Sequence, residues 1–431
     1  MNTRLFLLAI AAIYLGACSP ISKSSLNKRC RATEEKFHDH TGFVLYDPVK
    51  KQTVFEYNAA KYFTPASNTK IFTLYASLKT LGDSIPALKY VQRKDSLIFW
   101  GTGDPSFLYK NVFDNGRTYQ FLSSAEGQLY FSSSNFHTSH FGSGWAWDDY
   151  NTAYSSERSP FPVYGNIFTV YADKSVLKIS PPYFRQFLIM GDPQEKTEII
   201  RNVHNNDWQF HGGNRSSKVT EWDIPMKIDR ETIVDLLTDT LKRPVYEATN
   251  LRPSEVKTYF SIPADSLYRV MMQDSDNFIA EQLLLLSADA VSDTLQPEIA
   301  IEFVKKNFLT DLPDDPIWVD GSGLSRYNLF TPRSIVKLWD KIYELVPQER
   351  LFLLLATGGK NGTIRNWYKA DAPYIFGKTG SLSNNHCLSG YLVTKKGKTL
   401  IFSFMNNNFT ASTNEIRENM QAILKDIYEK Y

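Results

Sequence analysis

The clearest periodic pattern of apolar and polar positions in the chain begins just after Pro65. Apolar residues recur at positions 71, 74, 75, 78 and 81, the spacing of one helical face, and Gly82 then provides a stop. Pro65 suits the first helical position, because its missing N–H would have no partner there. The pattern therefore predicts a buried helix with Ser67 in its first turn and Lys70 three residues later on the same face.

Similar patterns predict strands and helices on both sides of this segment. Alternating residues predict two strands joined by a turn at Asp47-Pro48, over residues 41–46 and 53–57. Helical periodicity returns over residues 265–272, 278–287, 296–308 and 414–428. Further strands are predicted over residues 374–378, 388–394 and 399–405, the last two joined by a hairpin turn.

The middle of the chain differs in texture from both ends. Short aromatic and β-branched runs alternate there with turn residues, as at 96–100 and 167–171. We therefore predict a β-rich insertion over residues 85–254, formed as one or two modules. The flanking residues 36–84 and 255–431 then make up one discontinuous domain.

The N-terminal residues are expected to be a targeting segment. Arg4 precedes an apolar run that is too short to span a bilayer, so residues 1–17 are predicted to be a secretory signal peptide. Leu15-Gly16-Ala17-Cys18 resembles a bacterial lipobox. The resemblance implies that Cys18 carries a lipid, that the protein is exported to the periplasm, and that the lipid attaches it to a bacterial membrane. The alternative is an ordinary signal peptide with a stray cysteine. Residues 19–31 are polar and basic without periodicity, so residues 18–35 are predicted to be a tether.

Composition excludes some classes of protein. The chain has 431 residues, which suggests two or three domains, and its net charge of +2 is too small to indicate a nucleic-acid partner. Besides Cys18, only Cys30 and Cys387 remain; they could pair in an exported protein, but free buried thiols are expected. His137-x-x-His140 lacks an acidic base and a third ligand. No metal and no cofactor is therefore expected.

Three motifs in a fixed order carry the candidate chemistry. Ser67-x-x-Lys70 alone is weak, since the same spacing occurs four more times, at Ser25, Ser175, Ser254 and Ser334. Ser275-Asp276-Asn277 follows between two predicted helices, and Lys378-Thr379-Gly380, which occurs once, lies on a predicted strand. This ordered set is typical of serine β-lactamases and penicillin-binding proteins.

On these residues the chain resembles the D-alanyl-D-alanine carboxypeptidase/endopeptidases, the class C low-molecular-mass penicillin-binding proteins. The matching blocks are residues 65–70, 103–105, 145–149, 275–283, 320–326, 331–332 and 377–382. The resemblance implies an α+β fold of the penicillin-binding/serine β-lactamase-like transpeptidase type. In that fold an antiparallel sheet is flanked by helices, a helical lobe completes the core, and here a large β-rich insertion is added.

The resemblance also implies catalytic roles. Ser67 would be the nucleophile, and Lys70 the base, with a pKa that burial and a neighbouring cation such as Lys378 would lower. Ser275 would relay a proton to the leaving amine, and Asn277 would hold a substrate amide.

Substrate-binding residues follow in the same way. Lys378 and Thr379 would bind the terminal carboxylate of the substrate. The backbone N–H groups of Ser67 and Ser381 would form the oxyanion hole. Gly380, which lies between Thr379 and Ser381, would also be a substrate-binding residue. The family can place an acidic residue, here Asp148 or Asp149, near the amino end of a diamino-acid side chain; a simple turn cluster is the other interpretation.

The expected function is therefore that of a serine-type D-Ala-D-Ala carboxypeptidase/endopeptidase that acts on peptidoglycan peptides. β-Lactam antibiotics would be its covalent inhibitors, and the membrane its partner through the lipid anchor. A serine β-lactamase is an alternative, which the long insertion disfavours. A non-catalytic, lipid-anchored cell-wall binding protein is another, which the presence of every reacting residue disfavours.

Overall fold

A computed structural model of the protein describes residues 22–113, 115–173, 177–213, 219–249 and 252–431. The predicted signal peptide and Cys18 lie outside these residues. In the part of the chain that is described, no helix combines the length and apolar character needed to cross a membrane.

The helices of the described residues are numbered here in chain order. They are α1 (Lys23–Phe37), α2 (Lys70–Thr80), α3 (Arg117–Ser124), α4 (Arg230–Leu241), α5 (Ala264–Gln273), α6 (Asn277–Ser292), α7 (Pro297–Phe308), α8 (Pro332–Leu345), α9 (Gln348–Leu354) and α10 (Thr413–Lys430). The predicted helices over 265–272, 278–287, 296–308 and 414–428 are thus confirmed within a few residues at their ends.

The strands are numbered in the same way. They are β1 (His40–Asp47), β2 (Gln52–Tyr57), β3 (Ser84–Gln92), β4 (Ser96–Gly101), β5 (Gln128–Ser132), β6 (Ile167–Ala172), β7 (Leu177–Ser180), β8 (Leu188–Met190), β9 (Glu198–Arg201), β10 (Trp208–His211), β11 (Thr220–Pro225), β12 (Val245–Glu247), β13 (Lys257–Pro263), β14 (Ala356–Thr357), β15 (Ile375–Leu382), β16 (Asn385–Val393) and β17 (Thr399–Asn407). The predicted β1–β2 hairpin and the three C-terminal strands are confirmed.

The chain forms two compact units. The first comprises the described residues up to Pro65 together with Pro313–Pro316 and Phe330–Tyr431. Its six-stranded sheet has the order β14-β15-β16-β17-β1-β2 and is antiparallel throughout. Phe43 of β1 stacks on Phe404 of β17, its register partner, with ring centroids 4.6 Å apart. Apolar side chains of α1 and α10 cover this sheet and close one hydrophobic core.

The prediction of a tether over residues 18–35 is wrong for residues 23–35, because these residues belong to helix α1. Ser22 caps this helix by accepting a hydrogen bond from the backbone N–H of Ser25 at 3.1 Å. Leu26, Cys30 and Phe37 are buried in the core. The apolar residues are too sparse to make a helical period evident, and only packing on the sheet reveals which face they share. Cys30 and Cys387 are free buried thiols, as expected.

The second unit comprises Ala66–Leu312 and Ile317–Leu329. It contains the helices from α2 to α7 and three sheets, with strand orders β12-β5-β4-β3-β13, β8-β10-β9 and β11-β6-β7. A second hydrophobic core, rich in aromatic side chains, joins these sheets to α4. The expected β-rich texture of the insertion is therefore observed, and the α+β class is confirmed. The boundaries at residues 84 and 255, and the number of modules, stay predictions.

Candidate active site

Ser67 lies in a short 3₁₀ turn, Ala66–Thr69, that leads directly into α2. The hydroxyl of Thr69 donates to the carbonyl oxygen of Ala66 at 2.9 Å and closes this turn. Ala66 has a φ of 48°, in the left-handed region, so the α-helix begins at Lys70 and not at Pro65 as the pattern predicted. Residues 70–77 are buried on every side of the helix, not on one face alone.

Lys70 is fully buried, and its amine nitrogen has three oxygen neighbours. Nζ lies 3.1 Å from Ser67 Oγ, 2.6 Å from Asn277 Oδ1 and 2.7 Å from the carbonyl oxygen of Ser322. The last two oxygens can only accept, whereas the hydroxyl of Ser67 can also donate. A neutral amine can therefore give its two N–H groups to Asn277 and Ser322 and turn its lone pair toward the hydroxyl of Ser67.

The surroundings of Lys70 favour that neutral form. Burial lowers the pKa of Lys70 to about 8, although the negative charges of Asp320, Glu281 and Asp276 raise it. The net pKa is close enough to neutral pH for a substantial neutral fraction, which is what a general base requires.

The Ser275-Asp276-Asn277 motif forms the start of α6. Ser275 has a φ of 66°, which is strained for a residue with a side chain. Asp276 caps the helix, since its Oδ1 accepts the backbone N–H of Ile279 at 2.9 Å. Its Oδ2 accepts the hydroxyl of Tyr109 at 2.7 Å. Burial raises the pKa of Tyr109 well above its ordinary value, so the phenol remains a donor and holds the motif in place.

The side chain of Asn277 is oriented at both ends. Its Nδ2 donates to the carbonyl oxygen of Tyr154 at 3.0 Å, which turns Oδ1 toward Lys70. Tyr154 belongs to the insertion, and its hydroxyl donates to Asp149 Oδ1 at 2.6 Å. Asp148 shares the 3₁₀ turn Trp147–Asn151 with Asp149. Asp149 is thus connected to Lys70 through Tyr154 and Asn277, whereas Asp148 shares only the turn.

A tight loop after residue 319 supplies the carbonyl group that binds Lys70. Asp320 is buried, and its carboxylate accepts four hydrogen bonds that shape the loop. The donors are Gly323 N at 2.8 Å, Asn328 Nδ2 at 2.7 Å, Ser325 N at 2.7 Å and Trp145 Nε1 at 3.0 Å.

This loop packs directly against the turn of Ser67. Gly323 has a φ of 84°, and a Cβ atom there would lie 1.9 Å from the carbonyl oxygen of Ala66. A Cβ atom on Gly321 would lie 2.5 Å from the carbonyl oxygen of Ala280. Both glycines therefore allow a backbone approach that any side chain would prevent.

The Lys-Thr-Gly motif lies on β15, within the sheet of the first unit. Lys378 is buried and donates from Nζ to the carbonyl oxygen of Thr379 at 2.8 Å. The hydroxyl of Thr379 lies 2.7 Å from that of Thr363. Ser381 is the register partner of His386 on β16, and Ser381 Oγ lies 2.7 Å from His386 Nδ1. Burial lowers the pKa of His386 to about 3, so this imidazole is neutral.

The structure thus brings together Ser67, Lys70 and Asn277, and it places Ser275 at the same helix start. Lys378, Thr379, Gly380 and Ser381 are consecutive on β15. Among the described residues, no group of three or more His, Cys, Asp or Glu side chains is arranged to hold a metal ion.

Sequence reasoning missed two contributors to the site of Lys70. The carbonyl group of Ser322 has no sequence signal, because every residue carries one. Glu281 lies four residues after Asn277 and hence on the same face of α6, a spacing that could have marked it.

The chain is similar to known proteins over most of its length. A family model described as the D-Ala-D-Ala carboxypeptidase 3 (S13) family matches residues 24–427. The chain is 23% identical over 426 residues to the D-alanyl-D-alanine carboxypeptidase DacB of Haemophilus influenzae, covering 86% of each protein. It is 21% identical over 438 residues to the penicillin-sensitive carboxypeptidase A of Dictyostelium discoideum, covering 86% of this chain and 83% of the relative.

The fold is also similar to that of a solved structure. Penicillin-binding protein 4 (DacB) of Haemophilus influenzae superposes with a TM-score of 0.77 and 20% identity, covering 93% of this chain and 99% of that one. This likeness confirms the predicted penicillin-binding fold. The family match spans nearly the whole chain and confirms the predicted class of enzyme, a serine-type D-Ala-D-Ala carboxypeptidase. The chain belongs to the D-Ala-D-Ala carboxypeptidase 3 (S13) family.

Proposed function

We propose that this protein cleaves D-alanyl-D-alanine bonds of peptidoglycan peptides through an acyl-enzyme formed on Ser67. One observation carries the assignment of the nucleophile. Lys70 Nζ lies 3.1 Å from Ser67 Oγ, and its two other contacts are oxygens that cannot give it a proton. The hydroxyl of Ser67 is thus the group from which a neutral Lys70 can take a proton.

The reaction proceeds in two steps that share this amine. Ser67 Oγ attacks the carbonyl carbon of the scissile bond while its proton passes to Lys70. The C–N bond then breaks, the leaving amine receives a proton through Ser275, and D-alanine departs. Water attacks the resulting ester, which releases the shortened peptide and restores the hydroxyl of Ser67. Ser275 is suited to this relay because it lies two residues before Asn277, which contacts Lys70.

Asn277 is proposed to hold an amide group of the substrate. Its Nδ2 donates to the carbonyl oxygen of Tyr154 in the free enzyme, so a substrate carbonyl would compete for the same N–H group. Its Oδ1 would stay on Lys70, which keeps the base in place while the substrate binds.

The residues of β15 are proposed to recognise the free end of the substrate. The ammonium of Lys378 and the hydroxyl of Thr379 would bind the terminal carboxylate, which accounts for exopeptidase selectivity. The backbone N–H groups of Ser67 and Ser381 would stabilise the oxyanion. Gly380 lies between Thr379 and Ser381, and all three residues are on one extended strand, β15.

Asp149 is proposed to meet the amino end of a diamino-acid side chain in the substrate. Of the two acidic candidates, Asp149 is connected to Asn277 through Tyr154. Asp148 remains a candidate on its position in the same turn. Replacing each by Asn should separate them, since only loss of the residue that binds the amine should raise KM for peptides with a diamino acid.

The family's β-lactam chemistry provides the direct test. Purified protein is incubated with labelled penicillin, and the adduct is located by mass spectrometry. We expect one adduct on Ser67, absent in Ser67→Ala, with an acylation rate that rises with pH through about 8, the pKa of Lys70. A folded protein that forms no adduct on Ser67 would contradict the proposal. Digestion of purified cell wall then separates carboxypeptidase from endopeptidase products.

Export and lipid anchoring are proposed from the N-terminal sequence. Peptidoglycan lies outside the cytoplasmic membrane, so an enzyme that acts on it must be exported. The lipobox-like Leu15-Gly16-Ala17-Cys18 supports cleavage before Cys18, lipidation of its thiol and retention in the periplasm. Labelled palmitate should be incorporated into the wild-type protein and not into Cys18→Ala; equal labelling of both would contradict the anchor.

A further inference from the structure

A buried carboxylate lies behind Lys70 and has no part in the steps described above. Glu281 is on α6, four residues after Asn277, and is only 1% exposed. Its Oε1 accepts the backbone N–H of Ser322 at 2.7 Å. Its Oε2 lies 3.6 Å from Arg158 Nη1 and has no hydrogen-bond partner among the described residues. Burying a carboxylate with one oxygen that has no hydrogen bond is costly, so the contacts and the charge that Glu281 provides need an explanation.

Glu281 and Lys70 hold the same residue from opposite ends. The backbone N–H of Ser322 donates to Glu281, and the carbonyl oxygen of Ser322 accepts from Lys70, at 2.7 Å in both cases. Gly321 and Gly323 lie on either side, in places where a Cβ atom would collide with backbone. The position of the Ser322 carbonyl is therefore set by the Glu281 hydrogen bond and by close backbone packing.

Glu281 also contributes charge. Its negative charge is one of three, with those of Asp320 and Asp276, that raise the pKa of Lys70 against the effect of burial. Burial, together with Asp320, raises the pKa of Glu281 itself to about 7, and Arg158 opposes that shift. The pKa of Glu281 is thus raised and that of Lys70 lowered, so the two values are shifted toward each other.

We propose that Glu281 is a positioning residue that holds the Ser322 carbonyl group against Lys70 and whose charge sets the pH above which Ser67 is acylated. The proposal rests on the proposed function of Ser67 and Lys70. Its two parts, position and charge, can be separated with different substitutions.

Glu281→Gln keeps an oxygen for the N–H of Ser322 and removes the charge. We expect the acidic limb of the acylation rate, followed with labelled penicillin over about pH 6 to 10, to move to lower pH by about half a unit or more. The direction follows because a lost negative charge makes protonated Lys70 less stable. The rate at high pH should remain within about threefold of wild type.

Glu281→Asp makes the complementary change. It keeps the charge and shortens the side chain by one methylene, which withdraws the carboxylate from Ser322. We expect the rate at high pH to fall about tenfold or more, because the acceptor of Lys70 is no longer fixed, with little shift of the acidic limb. This variant also keeps the proposal testable if Glu281→Gln folds poorly.

Glu157 provides a matched control in the same unit. It is buried, lies 3.3 Å from Arg201 Nη2, and accepts the backbone N–H of Ile228 at 2.9 Å, but it does not contribute to the pKa of Lys70. Glu157→Gln should lose stability comparable with Glu281→Gln and leave the pH profile unchanged.

The outcomes distinguish the inference from the proposed function. If the wild-type protein forms no adduct on Ser67, the proposed function fails. If wild type is acylated and the profile of Glu281→Gln superimposes on it, or if Glu157→Gln shifts the profile equally, the role of Glu281 is overturned and the function stands.

Discussion

The side-chain amide of Asn277 donates to the carbonyl oxygen of Tyr154 at 3.0 Å. This contact links the β-rich insertion to the helix that carries the second motif. It decides which end of the amide faces Lys70, because an Asn side chain that gives its N–H to one neighbour presents its oxygen to the other. The insertion therefore participates in orienting the base.

Asn277→Asp tests this orientation. The new carboxylate would face the Tyr154 carbonyl with an oxygen that cannot donate, and it would place a negative charge beside Lys70. We expect the pKa of Lys70 to rise by about one unit, which lowers penicillin acylation at neutral pH about tenfold. The pH profile of acylation measures this shift.

Asn206→Asp is the control for that substitution. Asn206 Nδ2 also donates to a backbone carbonyl, that of Lys227, at 2.9 Å, but no contact joins it to Lys70. It should retain the wild-type pH profile. A profile of Asn277→Asp that coincides with wild type would show that Asn277 does not influence the base.

Tyr109→Phe tests the support of the strained Ser275. The change removes the hydroxyl that donates to Asp276 at 2.7 Å and costs about 1 to 2 kcal/mol in the free energy of unfolding. Ser275 keeps its φ of 66° only while its surroundings hold it, so we expect acylation to slow about threefold or more.

Tyr183→Phe serves as the comparison, because the hydroxyl of Tyr183 donates to Asp235 at 3.3 Å within the insertion. It should leave acylation unchanged. Equal acylation rates in the two variants would show that Tyr109 does not support the Ser275-Asp276-Asn277 motif. Urea denaturation and stopped-flow acylation provide the two measurements.

Gly323→Ala tests the close approach of the loop to the turn of Ser67. The added methyl group would meet the carbonyl oxygen of Ala66 at 1.9 Å, and backbone must move to relieve the clash. We expect a loss of about 3 kcal/mol or more in stability, together with slower acylation of Ser67.

Gly397→Ala isolates the conformational part of that loss. Gly397 has a φ of 78°, close to the 84° of Gly323, but a Cβ atom there meets nothing within 4 Å. Gly397→Ala should lower the free energy of unfolding by about 1 kcal/mol, the usual cost of placing a residue with a side chain in the left-handed backbone region. Acylation should not change. If both variants lose the same stability, the contact with Ala66 is unimportant.

We expect the buried side chain of His386 to make the folded protein less stable in acid. Its pKa falls from 6.5 to about 3 in the folded state, mainly through burial, so between these values the unfolded state binds more protons. Stability must therefore decrease as pH falls below 6.5, by about 1.4 kcal/mol per pH unit.

His386→Asn should lose this dependence while it retains a polar group near Ser381. Urea denaturation of both proteins at pH 7 and pH 5 measures the effect. The difference in stability between them should shrink by about 2 kcal/mol toward the lower pH. Parallel curves would indicate that His386 is accessible to protons in the folded state.

The sequence alone determined the broad outline of this protein. Periodicity located the later helices and the C-terminal strands, because burial of one face repeats at regular intervals along a chain. Three motifs in order identified the family and the residues expected to react. These features are short in range, so a one-dimensional pattern can express them.

Only the tertiary structure decided how those residues are held. Helix α1 was mistaken for a tether because its few apolar residues gain meaning only against the sheet. The Ser322 and Tyr154 carbonyl groups that direct Lys70 and Asn277 were invisible, since every residue has a carbonyl group and only the folded path of the backbone selects one. The pKa of the base was predicted only in part. Burial lowers the pKa of Lys70, as expected, but the sequence did not reveal that the carboxylates of Asp320, Glu281 and Asp276 raise it, because a pKa depends on neighbours that are distant in the chain.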